Sequence, residues 1–507
     1  MSKKTIIFFQ PKFWPGPLHN EKPMRDKYYH GVRETFRYFP LALLSVSAML
    51  KDDFDVHIVD ERFDKDWERQ VRDILREREV LMVGATACTG FEISGALDFS
   101  RLVRETSPDV PIVWGGWHAS TVPEDTVRSP YVDVVVRGQG EWTARELADR
   151  LDSGSRDFTG IDGLTYQTKD GGIVSNPDRK LHKANDLPEI DFSMVDGNRY
   201  LKFLDGTPAR LFYLSSLGCP FSCSFCTIAS VYRQHWSSKD PDRVVREIRY
   251  FVDNFGIDTV EFDGTIFFAN SKWAKSVLES LIDSGMKLRY VTATRADIIL
   301  KWNDEMKDVI KRSGFKAIGV GAESGSQHVL DLIDKRITPK EIVDSLYVLK
   351  ELDIDAAYTF MFGIPGETVS DSLETLDVMA QLKEIMPQCR IAGFFYHPFP
   401  GSKTYTEYKE LYNLPDLTLE QWANYSFDLK YAESLALTDN YLELINQRVQ
   451  YLDWGYPEHY VSQGPVRKLL GAVSRLRVRN RFYTLPVEWW LAKALGKSSR
   501  LKDSHSL

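Results

Sequence analysis

Three of the chain's five cysteines fall within eight residues, Cys219-Pro-Phe-Ser-Cys223-Ser-Phe-Cys226, a C-x3-C-x2-C spacing. Thiolates held that close bind a soft metal or an iron–sulfur cluster, because each ligand in place lowers the cost of gathering the next. Three thiolates leave one iron of a four-iron cluster without a protein ligand, and an open iron can bind a reactant. The competing use of the same sulfurs is a structural zinc with His235 as fourth ligand, although such sites usually pair two C-x2-C units.

The elements that must hold these residues can be read from periodicity. Over 211–400 the chain gives six strand–helix units. Strands are expected at 211–215, 259–262, 288–293, 317–321, 356–362 and 391–396, with helices at 241–255, 273–284, 304–313, 339–352 and 370–385 between them. Repeated β/α units close toward a barrel whose reactive groups sit at the carboxyl ends of the strands. Six units make a partial barrel, open on one side, and the cysteines follow its first strand.

Ahead of the barrel, residues 1–150 alternate strands (5–9, 55–59, 80–84, 111–114, 132–136) with helices (42–50, 67–78, 91–105, and from 142). That order predicts a doubly wound parallel sheet. Ligands of such sheets lie beyond the carboxyl ends of the strands. Those ends here carry small and polar residues: Gln10; Thr86, Cys88 and Gly90; Gly115-Gly116-Trp117-His118; and Gly138-Gln139-Gly140-Glu141. Glycine there lets a ligand approach the backbone closely. Residues 151–210 are turn-rich, with a small hairpin at 163–167 and 172–174, and read as a connector that packs the two domains together. Residues 401–507 read as a helical cap over the barrel mouth. The fold class is therefore α/β: a Rossmann-like parallel sheet, a partial (β/α)6 TIM-type barrel and a helical C-terminal region.

Composition agrees. Hydrophobic residues make up 43% and charged residues 27% of the 507, ordinary for globular domains. A net charge of −8 gives the whole surface no pull on nucleic acid. Five cysteines, three of them clustered, do not make a secreted disulfide scaffold. The apolar run near the N-terminus is too short for a signal peptide and no stretch is long enough to span a bilayer, so a reducing cytoplasm is expected. The tail differs from the rest: from Pro465 on, ten Lys/Arg stand against Glu488 and Asp503. Basic and apolar residues alternate over 466–481, and Trp489-Trp490 follow. Such a segment can lie on an anionic membrane surface or dock on the acidic body of its own chain. No RNA-reading motif accompanies it.

Cys219–Cys226, taken with Leu214-Ser-Ser-Leu-Gly218, Gly321-Ala-Glu323-Ser-Gly325 and Gly363-Ile-Pro365-Gly366-Glu367, resembles the radical S-adenosylmethionine (SAM) superfamily. The glycine-bearing strand ends ahead of it resemble the cobalamin-binding domain that precedes many such barrels. The resemblance implies a [4Fe-4S] cluster on Cys219, Cys223 and Cys226, with SAM on the open iron. Phe225 would pack near the adenine. Asp263 and Gly264, in place of the more common Gly-Gly-Glu, would face the SAM amino group. Arg295 would pair with the SAM carboxylate, or else with Asp297. Glu323, with Ser324 beside it, would accept from a ribose hydroxyl, or else cap a helix. Ile364, Pro365 and Gly366 would line the adenine through their backbone. Tyr396 and His397, ending the last strand, would face substrate and move protons, or simply pack.

For cobalamin the resemblance implies Gln10, Thr86, Cys88, Gly90, Gly115, Gly116, Trp117, His118, Gly138, Gln139, Gly140 and Glu141. His118 would contact the ligand or serve the following helix. Many cobalamin proteins ligate cobalt with the histidine of Asp-x-His-x-x-Gly after the first strand. Here that loop has no histidine before His19, and His57 reads as a strand residue, so cobalamin would be bound histidine-off.

The activity implied is that of a cobalamin-dependent radical SAM enzyme. A 5′-deoxyadenosyl radical would take hydrogen from an unactivated carbon of a small natural-product or lipid-like substrate. Methylcobalamin would deliver a methyl group, and a flavodoxin- or ferredoxin-type protein would supply electrons. Oxidation, cyclisation or ring rearrangement with the same cofactors is the alternative. A methylthiotransferase would carry three further cysteines in its N-terminal domain, where this chain has only Cys88. A non-catalytic B12-sensing or zinc-stabilised adaptor is the remaining reading.

Overall fold

The run Thr5-Ile-Ile-Phe-Phe-Gln is apolar at almost every position, and in the computed structural model it is a strand (β1, Thr5–Gln10) buried at all six positions. Burial on both faces is what a parallel sheet covered by helices demands. The structure describes residues 3–12, 38–201, 210–263, 266–411, 416–425, 439–457 and 465–494. They form two compact units: Met1–Ala209 with Thr227–Lys239 and Phe399–Asp428, and Arg210–Cys226 with Asp240–Pro398 and Leu429–Leu507.

In the first unit β1 is joined by β2 (Asp55–Asp60), β3 (Val80–Thr86), β4 (Ile112–Gly115), β5 (Val134–Val136), β6 (Leu164–Gln167) and β7 (Ile173–Ser175). The sheet order is β2-β1-β3-β4-β5-β6-β7. Strands β1 to β5 are parallel. The hairpin expected in the connector is present but extends this sheet, β6 pairing antiparallel with β5 and with β7. On one face Ile6, Phe8, Val113 and Val134 pack with Leu43 and Leu147 from the covering helices. On the other, Phe9 stacks on Phe99 with ring centres 4.5 Å apart. The chain steps from β1 out to β2, then crosses back to β3, so the strand order reverses beside β1. That reversal opens a crevice beyond the strand ends, the position where such sheets take ligands.

In the second unit six strands lie in chain order and all run parallel: β8 (Arg210–Leu214), β9 (Thr259–Asp263), β10 (Arg289–Thr294), β11 (Phe315–Glu323), β12 (Asp355–Phe362) and β13 (Arg390–Phe395). No pairing closes β8 on β13 among the described residues, so the barrel is partial. Sequence signals set the helix ends. Thr338 with Glu341, and Thr368 with Asp371, form capping boxes that start Pro339–Glu351 and Val369–Ile385. Gly256, at φ 63°, stops Pro241–Phe255 in the left-handed region that glycine enters freely.

The stretch 401–507 divides. Helix Leu419–Asn424 belongs to the first unit, where Glu420 meets Arg101 at 2.9 Å. Helices Asp439–Gly455, Pro465–Arg479 and Val487–Ala494 belong to the second. No helix among the described residues is long and apolar enough to cross a membrane.

Candidate functional site

The cysteine loop follows β8 and a short strand, Ser216–Gly218. None of its cysteines is in a disulfide, and all are half-buried. The loop is tied at its middle: Ser224 N donates to the Ile333 carbonyl at 2.9 Å and Ser222 Oγ to Asp334 at 2.7 Å. Cys226 N donates to the Cys223 carbonyl at 3.1 Å, closing a turn between the last two sulfurs.

Two buried cations stand beside it. Arg295, immediately after β10, donates from Nε to Asp297 at 2.8 Å and from Nη2 to the Lys335 carbonyl at 2.5 Å. Its Nη1 lies 3.6 Å from Cys223 Sγ, and its guanidinium sits 3.9 Å over the Phe221 ring. The ion pair with Asp297 is therefore present, and it also aims the arginine at a cysteine. Lys335 Nζ donates to Glu323 Oε1 at 2.8 Å, both side chains being buried, and lies 5.9 Å over the Phe225 ring. Glu323 ends β11 at φ 65°, a region a side chain rarely adopts. Its carboxylate caps no helix: Ser326 precedes Gln327–Leu332. Burial pushes the Cys219 thiol up, while the Phe221 backbone N–H, Arg295 and Lys335 pull it down.

A second loop follows β12. Gly363 and Gly366 have φ near 79° and 89°. Glu367 Oε2 accepts from Gly363 N at 2.7 Å and Ile364 N at 2.9 Å, so this carboxylate shapes the Gly363–Pro365 backbone. Ser372 donates to its other oxygen at 2.6 Å, and Tyr441 OH lies 2.9 Å from Ser372 Oγ. Burial raises the pKa of Glu367 against these hydrogen bonds. Ser324 Oγ is 2.9 Å from Thr375 Oγ1, both buried. Asp263 closes β9, and Gly264 lies outside the described residues. Tyr396 and His397 are buried after β13, where Tyr396 N donates to the Phe362 carbonyl at 2.8 Å. Burial lowers the pKa of His397 to about 4, so its imidazole is neutral near pH 7.

In the first unit the expected residues gather at the carboxyl ends of β1, β3, β4 and β5. Gly115 and Gly138 are open: an added Cβ at 115 would meet only the Val136 carbonyl, at 3.8 Å, and at 138 nothing within 4 Å. Gly116 differs. It has φ +90°, and a Cβ there would strike Thr86 Oγ1 at 2.6 Å and the Ala87 backbone at 2.9 Å, so the fold itself requires it. Gln139 is also taken by the fold, its amide bonding His182 N at 2.6 Å and the His182 carbonyl at 3.0 Å. Gln10 turns its amide onto the Pro11 carbonyl at 3.1 Å. Cys88 N donates to Glu92 at 2.7 Å, and burial followed by that carboxylate pushes the Cys88 thiol well up. Gly90, at φ 111°, turns the chain into the next helix. Trp117 is exposed, with its ring 6.1 Å from Tyr232. Glu141 Oε1 accepts from Ser45 at 2.7 Å, while its buried Oε2 has no partner. His57 stays inside β2, 3.1 Å from Asp55, and His19 lies outside the described residues.

His118 is fully buried against Trp422, with Nδ1 3.0 Å from Thr89 Oγ1 and Nε2 without a hydrogen-bond partner. Burial lowers its pKa to about 3. In the unfolded chain it would protonate near the usual ~6.5. The folded state therefore binds fewer protons, and the stability it contributes at neutral pH is lost as pH falls from there toward about 3. Between about pH 7 and about pH 5 that loss is about 2 kcal/mol. His118→Gln should flatten this part of the stability–pH curve, measured by denaturation of the first unit; an unchanged slope assigns the acid sensitivity elsewhere.

The site residues can be tested against the groups they would hold. Three half-buried thiols beside two cations form a soft donor set whose charge is partly offset. Among the described residues, no three His, Cys, Asp or Glu gather closely enough to hold a single metal ion. His235 is exposed, with Nδ1 3.1 Å from the Arg233 carbonyl. Ligands of one zinc would converge on a point, whereas cluster ligands sit on different irons. The open backbone at Gly115 and Gly138, with the unpartnered atoms of His118 and Glu141, suits a large ligand with a polar rim. Spacing missed Phe221, Lys335 and Glu367. Phe221 and Glu367 had a signal, the one inside the cysteine motif and the other ending the Gly363–Glu367 motif.

Comparison with known proteins agrees with this geometry. Residues 213–379 match the radical SAM superfamily, and residues 34–148 match the B12 binding domain. The chain is 28% identical over 389 residues to an uncharacterised methyltransferase of Pyrococcus horikoshii, spanning 76% of this chain and 81% of that one. It is 25% identical over 356 residues to the anaerobic magnesium-protoporphyrin IX monomethyl ester cyclase of Rubrivivax gelatinosus, spanning 70% of this chain and 63% of that enzyme. Its fold is similar to that of the radical SAM methyltransferase TsrM of Kitasatospora setae, solved with cobalamin and a [4Fe-4S] cluster. There the TM-score is 0.66 at 17% identity, over 97% of this chain and 100% of that one. The cofactors of the two matched domains, a [4Fe-4S] cluster, SAM and cobalamin, are this chain's cofactors. With the B12-binding domain ahead of the cysteine-bearing barrel, the chain belongs to the cobalamin-dependent radical SAM enzymes.

Proposed function

We propose that this enzyme is a methyltransferase that adds a methyl group to an unactivated carbon of a small molecule, natural-product or lipid-like in character. The reading places it in the cytoplasm, with a flavodoxin- or ferredoxin-type reductant. It is carried by the co-occurrence of both domains in one chain together with a methyltransferase relative that spans 76% of it. When bound, the three cofactors supply reductive SAM cleavage, hydrogen abstraction and a transferable methyl group.

The chain's own residues do the positioning. Cys219, Cys223 and Cys226 hold the cluster. Arg295, fixed by Asp297 and the Lys335 carbonyl, offers Nη1 beside Cys223, where a carboxylate would gain a charge-assisted bond. Lys335 and Glu323 present one cation and one anion in a buried setting, a donor for a carboxylate and an acceptor for a hydroxyl. Phe225 offers a flat face to the adenine. Glu367 takes up the Gly363 and Ile364 N–H groups and so presets this backbone, leaving its carbonyl groups in place for the adenine edge. His397 at the barrel end stays a neutral imidazole near pH 7, and its burial opposes taking up a proton.

The test is turnover with SAM carrying an isotopically labelled methyl group. A product bearing the label is expected. An unlabelled product that still depends on SAM cleavage favours the second reading, oxidation or cyclisation, to which the cyclase relative points.

A further inference from the structure

Large apolar side chains left in water are concentrated near the C-terminus. Leu469, Leu476, Phe482, Leu485, Trp490 and Leu491 are all more than half exposed. They lie on helices Pro465–Arg479 and Val487–Ala494 and the turn between them. One exposed leucine needs no explanation, but a set of this size marks an interaction surface.

Helix geometry separates this surface from the core. In Pro465–Arg479 the buried positions are Gly471, Ser474 and Val478, spaced three and four apart. That stripe seats the helix on Asp439–Gly455: a Cβ at Gly471 would meet the Trp454 carbonyl at 2.9 Å, and Arg475 donates to the Gly455 carbonyl at 2.6 Å. Leu469, Val473 and Leu476 repeat the same spacing on the opposite side, roughly half a turn away. In the second helix Trp489 is buried, while Val487, Trp490 and Leu491 recur on the outer side. Each helix thus buries one side within the unit and turns apolar residues outward on the other.

Charge identifies what the outward side meets. Some of the tail's cations staple it to its own unit: Arg479 to Glu384 at 3.1 Å, Arg481 to Asp377 at 2.8 Å and Lys493 to Glu443 at 2.9 Å. These pairs realise the docking on an acidic body that the composition suggested, and among the described residues nothing covers the outward apolar positions. Within 465–494 seven Lys/Arg stand against Glu488, so after these three pairings the stretch still carries net positive charge on a chain of net charge −8. A second copy would bring like charge against like charge. An anionic bilayer offers opposite charge above an apolar layer, and aromatic residues such as Trp490 and Phe482 favour that boundary. We propose that this face docks on the surface of anionic phospholipid bilayers, both helices lying in the interface plane. The remainder of the chain is net acidic and would be repelled, which favours approach by this face.

The experiment is co-sedimentation of the anaerobically purified holoenzyme with two vesicle types, phosphatidylcholine alone and phosphatidylcholine mixed with phosphatidylglycerol. Binding is expected only to the mixed vesicles, and added salt should weaken it. Leu469→Glu with Leu476→Glu should lower the bound fraction at least ~10-fold, with circular dichroism and iron content unchanged; Trp490→Ser is the second variant should the first fail to fold. Failure to bind anionic vesicles at low salt overturns the proposal, as does undiminished binding by both variants. A dimer seen by light scattering, abolished by the same substitutions and accompanied by no vesicle binding, assigns the face to a second copy instead.

Discussion

Cys223→Ala should abolish reductive SAM cleavage, a loss of at least ~10^3-fold given that the cluster supplies the whole electron route, while cobalamin stays bound. Cys223 is the middle sulfur of the three, and its Sγ is the one that Arg295 Nη1 reaches at 3.6 Å. Removing it leaves Cys219 and Cys226 with no third anchor and deprives the arginine of its neighbour. The residues expected around cobalamin all belong to the first unit, and none depends on Cys223 for its hydrogen bonds. The measurements are iron and sulfide content, 5′-deoxyadenosine released under reduction, and the corrin absorbance of the purified variant. Cys389→Ala is the control. Cys389 is fully buried, and burial raises its thiol to about 12, the condition of an inert packing residue. It should keep its iron and its cleavage activity. Full cleavage by Cys223→Ala, or loss of iron from Cys389→Ala, would remove the cluster from this loop.

Much of this architecture is legible before any coordinates. Helices Pro241–Phe255 and Asp304–Ser313 begin and end where the sequence places them, because Pro at the first position, Gly256 and Gly314 are local signals. The strands are legible because each is an apolar run bounded by turn residues. The hairpin at β6 and β7 could be seen, but not its edge: two short strands do not say which neighbour completes their hydrogen bonds, and here β5 does. The site divides in the same way. The cysteines, Arg295 and Glu323 each sit at a strand end, where the fold makes position informative. Lys335 reaches Glu323 only because the chain turns through helix Gln327–Leu332 and returns, a tertiary event with no periodic trace. Gly116 and Gln139 show the converse. They stand in the right stretch for a ligand, yet an Ala87 backbone contact and the His182 backbone already account for them. Composition and the alternation of basic and apolar residues marked the tail as unusual, and the helical phase of its buried positions shows which apolar residues face outward.

Lys335→Met carries the second large expectation. The substitution leaves the Glu323 carboxylate buried opposite a thioether, and breaking a buried pair by removing one partner typically costs about 3–5 kcal/mol. Glu323 gains no help from its backbone, which is already held at φ 65°. The denaturation midpoint of the second unit should fall accordingly. Glu323→Gln combined with Lys335→Met removes the uncompensated charge and should recover most of that stability, since a well-packed neutral pair is often as stable as the ion pair it replaces. SAM binding separates structure from function. If the pair only holds β11 to the turn at Lys335, the stable double variant should bind SAM as the wild type does. The proposed arrangement, with Lys335 toward the carboxylate and Glu323 toward a ribose hydroxyl, requires the opposite: a well-folded double variant whose SAM affinity is at least ~10-fold weaker, the size of one charge-assisted hydrogen bond. Calorimetric titration of SAM into the two proteins decides between them, because the double substitution pulls stability and affinity in different directions.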